Sequence, residues 1–138
     1  MAGILNRLPF FCTMFDHDSP AAVVQRQLDA YNARDVEALL ATYALDARQY
    51  EHPAALLASG HEEMRPRFAA RFQEPDLHAR LLQRVVMGKL VFDHEIVTRN
   101  FPEGKGAIEL VAIYEVVDGR IRSQSVQLGA RRLEPKAQ

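Results

Sequence analysis

The residues of this chain best suited to chemistry are His52, in Tyr50-Glu51-His52-Pro53, and Tyr114, in the apolar run 107–117. A neutral imidazole with a pKa of ~6.5 can take a proton from carbon beside a carbonyl. A phenol can then donate a hydrogen bond to the enolate that forms. Strand alternation puts His52 on the same face as Tyr50, just before the stop at Pro53, and so points both at a pocket. The competing reading makes His52 a hydrogen-bonded strand-end residue with a structural role only.

Other clusters offer less. Asp93-His94-Glu95 has ligand-type side chains, but neighbours on a strand point to opposite faces and cannot share one metal. Glu95 and Arg99 share a face with Val97 and Phe101 and read as a salt bridge at the pocket rim. Arg65, Arg67 and Arg71 read as the wet side of an amphipathic helix. The chain has no Gly-rich phosphate loop, nucleophile elbow or Cys/His metal spacing. No metal or cofactor is expected.

These side chains must be held by one domain of 138 residues. The net charge of −1 leaves no electrostatic footprint for nucleic acid or an acidic membrane. The single cysteine, Cys12, excludes an intrachain disulfide and suits a reducing cytoplasm. No apolar run approaches the ~20 residues of a membrane span. Residues 1–18 read as a flexible leader, with an arm packed on the domain or a partner as the other reading. The domain is expected over 19–130 and a charged, frayed tail over 131–138.

Ser19-Pro20 is a helix start, a hydroxyl cap followed by proline at the first helical position. Val24, Leu28 and Tyr31 then recur at helical spacing. Asp35 caps a second, short helix carrying Leu39, Leu40 and Tyr43, and residues 47–52 form a strand. A third helix follows Gly60, with Met64, Phe68 and Phe72 on one face. Pro66 requires it to begin late or to bend. Strands over 77–87 and 90–101 flank Gly88-Lys89, and strands over 107–117 and 120–128 flank the hairpin turn Asp118-Gly119. Residues 102–106 form a loop. On 107–117, Ile108, Leu110, Ala112, Tyr114 and Val116 make an uncharged inner face. Val111 and Ile113, between Glu109 and Glu115, make an outer face suited to a partner sheet. The fold class is α+β, with helices on one face of a curved antiparallel sheet.

The chain resembles the nuclear-transport-factor-2-like superfamily, in its ketosteroid isomerase and polyketide cyclase branch. The likeness rests on Val23-Val24-Gln25-Arg26, Tyr31-Asn32-Ala33-Arg34-Asp35, Tyr50-Glu51-His52-Pro53, Asp118-Gly119-Arg120-Ile121 and Leu128-Gly129, and spans Ser19 to Gly129. It implies a cone: a curved sheet wrapped around three N-terminal helices, with an internal pocket and pairing through the outer sheet face. It also implies that His52 stands where isomerases carry an aspartate base. Gln27 stands at their oxyanion-hole tyrosine, and Tyr114 is nearest their second oxyanion donor. None of that catalytic set is retained. Scytalone dehydratase, on the same fold, is said to use histidine and tyrosines, which keeps isomerase- or dehydratase-type chemistry open by analogy. The aspartate–arginine–aspartate set of limonene epoxide hydrolases has no counterpart beyond Arg99.

The pocket residues expected around His52 and Tyr114 are Gln27, Tyr31, Tyr50, Phe68, Val97, Arg99, Ala112 and Gln124. The ligand is a small apolar molecule, carbonyl or polyketide-like, and the protein is a homodimer. The alternative is a non-catalytic ligand binder or scaffold on the same fold.

Overall fold

The computed structural model describes residues 18–136. The leader expected over 1–18 therefore lies, Asp18 excepted, outside the described residues. Helix α1 (Pro20–Ala33) starts where the Ser19 side chain accepts the Ala22 N–H at 3.2 Å. It buries Val23, Val24, Gln27, Leu28 and Ala30. It stops at Arg34, which takes a left-handed conformation (φ 58). Asn32 docks this end on the sheet, donating to the Ala79 carbonyl at 2.9 Å and accepting the Ala79 N–H at 2.8 Å. Asp35 caps α2 (Val36–Ala41) through the Ala38 N–H at 3.0 Å.

Tyr43 is not on that helix, as its spacing had suggested. The Thr42 hydroxyl turns back to the Leu39 carbonyl at 2.7 Å, the helix ends, and Tyr43 opens β1 (Tyr43–Glu51). Pro53 then leads into a short strand absent from the sequence reading, β2 (Ala55–Ser59). Helix α3 (Gly60–Arg71) runs through Pro66 rather than starting after it. Pro66 is exposed, so the hydrogen bond it cannot donate is missing on the wet side. Met64, Phe68 and Phe72 are buried, as their spacing predicts.

The remaining strands are β3 (His78–Met87), β4 (Leu90–Phe101), β5 (Gly104–Val117) and β6 (Arg120–Leu133). The sheet order is β2-β1-β6-β5-β4-β3, with β1 parallel to β6 and all other pairs antiparallel. The Asp118-Gly119 turn forms as expected, with both residues at positive φ (53 and 76). The loop expected over 102–106 shrinks because β5 begins at Gly104. A Cβ on Gly106 would lie 2.2 Å from the Arg132 carbonyl oxygen, so glycine lets β5 and β6 close on each other. Residues 131–133, expected to fray, instead pair with 106–108. The result is the α+β cone: a curved, unclosed six-stranded sheet with three helices against its inner face.

Candidate active site

Helices α1 and α3 and the inner sheet face enclose a cavity of about 280 Å³. Gln27 and Tyr31 reach it from α1, Phe68 from α3, Tyr50 from β1, Val97 and Arg99 from β4, Ala112 and Tyr114 from β5, and Gln124 from β6. The expected pocket residues are thus brought together.

His52 is not among them. β1 ends at Glu51, and His52 sits exposed in the turn beyond it. The cause is strand parity. The inward residues of β1 are Tyr43, Ala47 and Gln49, and a register shift lies between Gln49 and Tyr50. Gln49, Tyr50 and Glu51 therefore line the cavity, and His52 faces solvent. Among the described residues it makes one hydrogen bond, from its backbone N–H to the Val126 carbonyl at 2.9 Å.

Three strands, β1, β5 and β6, and helix α1 are tied across the cavity by amides and phenols. Gln49 Nε2 donates to Gln124 Oε1 at 2.6 Å, and Gln124 Nε2 donates to Tyr114 Oη at 3.1 Å. Tyr114 Oη donates to Gln27 Oε1 at 3.3 Å, and Gln27 Nε2 donates to Tyr43 Oη at 3.2 Å. Burial pushes the Tyr43 and Tyr114 phenols above their ordinary range, and raises Tyr31 as well. All three stay protonated hydrogen-bond donors near neutrality.

Glu95 was not among the expected pocket residues. Glu95 is buried in the cavity wall. The salt bridge expected between Glu95 and Arg99 does not form. The two stand ~13 Å apart along β4, and Glu74, from the α3–β3 connection, takes Arg99 instead through two bonds of 2.8 Å. Glu95 has no hydrogen-bond partner among the described residues. Desolvation, reinforced by the nearby Asp93 carboxylate and opposed by Arg84, pushes its pKa up to about 7. Its clue in the sequence was position: it shares the core face of β4 with Asp93 and Val97.

The charges around this carboxyl are arranged in two groups. Behind it, Asp93 is fully buried and paired with Arg84 at 2.7 and 2.9 Å. At the cavity mouth, Arg67 and Arg71 line the opening beside Arg99. They are not simply the wet side of α3. Only Arg65 is, held by Glu37 at 2.9 and 3.0 Å. His94 points outward and meets Glu109 at 2.6 Å, so the Asp93-His94-Glu95 run is split across the sheet. No group of three or more metal-ligating side chains occurs among the described residues. No helix there is long and apolar enough to cross a membrane.

A cone-shaped α+β domain with a polar-floored internal cavity is the architecture of the nuclear-transport-factor-2-like superfamily. The SnoaL-like domain family matches residues 24–124, and the chain belongs to it. Among solved structures, it is similar to an uncharacterised cystatin-fold protein from Novosphingobium aromaticivorans, with 24% identity and a TM-score of 0.73 over 78% of this chain and 97% of that one. It is also similar to a proposed ketosteroid isomerase from Kribbella flavida (21% identity, TM-score 0.67, 86% and 83% covered). A proposed polyketide cyclase from Sinorhizobium meliloti has 25% identity and a TM-score of 0.63 over 76% of this chain and 93% of that one. No curated protein matches.

Proposed function

We propose that this protein moves a proton on a small apolar carbonyl or polyketide-like compound held in the cavity, with Glu95 as the group that takes and returns it. The observation that carries this reading is the placement of Glu95: a buried carboxyl on the cavity wall with no hydrogen-bond partner among the described residues. A base in that setting is not already committed to a cation, and its raised pKa matches proton transfer near neutrality. In the step, the Glu95 carboxylate takes a proton from the carbon beside the carbonyl, and the C–H electron pair moves to the carbonyl oxygen as an enolate. Return of the proton at another carbon gives isomerisation; when Glu95 instead gives the proton to a β-hydroxyl, the enolate pair forms the C=C bond as the C–O bond breaks, and water leaves. Protonated Tyr31 lines the same cavity and supplies a donor for the enolate, and Tyr114 supplies a second when its hydroxyl turns from Gln27 to the enolate oxygen. The usual isomerase set is absent, and the base moves from the His52 position to β4.

The direct test is hydrogen exchange at the α-carbon of a small cyclic ketone, 2-tetralone, followed by NMR in D2O. Wild type should accelerate exchange, and Glu95→Gln should not. Exchange no faster than in buffer, or equal in the variant, would overturn the reading. The second reading is a binder without turnover, favoured by the mutual satisfaction of Gln124, Tyr114 and Gln27. It predicts ketone binding without exchange.

We also propose that two copies pair through the outer sheet face. Val85, Phe92 and Ile113 form one cross-strand row there, with Val111 beside it, and Val85 and Met87 are 44% and 70% exposed. Light scattering should give a dimer at micromolar concentration, and a stable monomer would count against it.

A further inference from the structure

We propose that the compound bound in this cavity carries a carboxylate, seated on Arg67 and Arg71 at the mouth while its apolar body lies inward along Phe68. The proposal rests on the pocket reading above and narrows its ligand to amphiphilic monocarboxylic acids.

Three guanidinium groups line this one cavity, those of Arg67, Arg71 and Arg99. One carboxylate serves them. Glu74 is fully engaged by Arg99 through both oxygens, and it also accepts the Asn100 N–H at 2.8 Å. Arg71 reaches the same carboxylate only at 3.5 Å. Arg67 is exposed and has no partner among the described residues. The positive charge at the mouth therefore exceeds what the protein neutralises there. Glu51 also lines the cavity, at the end of β1, but makes no ion pair with either arginine among the described residues.

The helix treats its arginines differently. Arg65 points away from the cavity and is held at two points by Glu37. Arg67 and Arg71 are four residues apart, so they stack on one face, where like charges repel. An anion between them turns that repulsion into two charge-assisted contacts, and guanidinium groups suit the planar, two-oxygen geometry of a carboxylate. Phe68, next to Arg67 in the chain, is buried and lines the same cavity. Glu51, exposed, and Glu95, buried, line the same cavity, so a second negative charge on the ligand would be opposed. That favours a single carboxylate over a phosphate ester or a diacid. With the head so anchored, the body of the ligand extends toward Glu95.

The test uses two matched probes, 2-naphthylacetate and its neutral amide, titrated calorimetrically into wild type, Arg67→Gln and the double variant Arg67→Gln/Arg71→Gln. Thermal melts establish that each variant is folded, and Arg67→Gln alters an exposed, unpaired side chain. Wild type should bind the acid on the order of tenfold more tightly than the amide. High salt should shrink that preference. Arg67→Gln should reduce it, and the double variant should abolish it with the affinity for the amide unchanged. Equal binding of acid and amide by wild type would overturn the proposal and leave the pocket reading standing. A preference that survives in the folded double variant would also overturn it, because the charge would then be read elsewhere. Failure of both probes to bind would remove the pocket reading and this proposal together.

Discussion

Asp93 and Glu95 leave the same face of β4, yet only Asp93 meets a cation. Arg84 grips Asp93 with Nε and Nη2 at 2.7 and 2.9 Å. Its remaining nitrogen, Nη1, goes to Gln25 Oε1 at 3.0 Å and toward the Ala21 carbonyl at 3.5 Å. The guanidinium is thereby used up one pleat away from Glu95. Of these two buried carboxyls one is paired with the cation, and the other, Glu95, has its pKa pushed up to about 7 by desolvation.

That separation predicts a pH dependence of stability. The Glu95 carboxyl sits at about 7 in the folded chain against an ordinary 4.5. Between those values the folded state holds a proton that the unfolded state has released, so stability falls as pH rises from about 4.5 to about 7 and is level above. The full drop is roughly 3 kcal/mol. Glu95→Gln removes this slope. Urea melts of both proteins across that range should show the variant gaining on wild type toward alkaline pH. Parallel curves would refute the assignment.

The Arg84–Asp93 pair should behave as a buried ion pair does. Asp93→Asn strands the Arg84 charge and should cost about 3–5 kcal/mol. The apolar double variant Arg84→Met/Asp93→Leu should cost less than that single change. Asp93→Asn also removes a negative neighbour, so the Glu95 pKa should drop. Urea melts measure the first effect, and carboxyl-labelled NMR titration the second.

Tyr114→Phe should lower stability by about 1–3 kcal/mol, because it leaves Gln27 Oε1 and Gln124 Nε2 without their shared partner inside the fold. If Tyr114 also serves the enolate, exchange of 2-tetralone should slow beyond what partial unfolding explains. A variant as stable as wild type would show that water replaces the hydroxyl.

Much of the fold was legible because its signals are local. Ser19-Pro20, Asp35 and Asp118-Gly119 each cap or turn the chain within a few residues, and the uncharged face of β5 needs only alternation. Several of the misreadings depend on distant partners. Which carboxylate Arg99 takes turned on Glu74, twenty-five positions away in the chain and on another element. Whether 131–133 frays turned on Gly106 admitting the backbone of Arg132. The inward face of β1 turned on where α2 stops, since starting the strand at 47 and ignoring the shift after Gln49 reverses its last residues.

That reversal makes His52 the sharpest contrast with Glu95. If His52 were the base, His52→Ala would abolish exchange and leave stability alone. If it were a buried structural residue, the change would cost about 1–3 kcal/mol. Its exposed position outside the cavity predicts neither outcome. The side chain makes no recorded hydrogen bond, and the backbone link to Val126 survives substitution. His52→Ala should therefore stay within about 0.5 kcal/mol of wild type. It should catalyse α-carbon exchange at the wild-type rate, while Glu95→Gln does not. Melts and exchange rates on both variants in the same buffer decide the matter, and loss of exchange in His52→Ala with a native melting curve would return the base to His52.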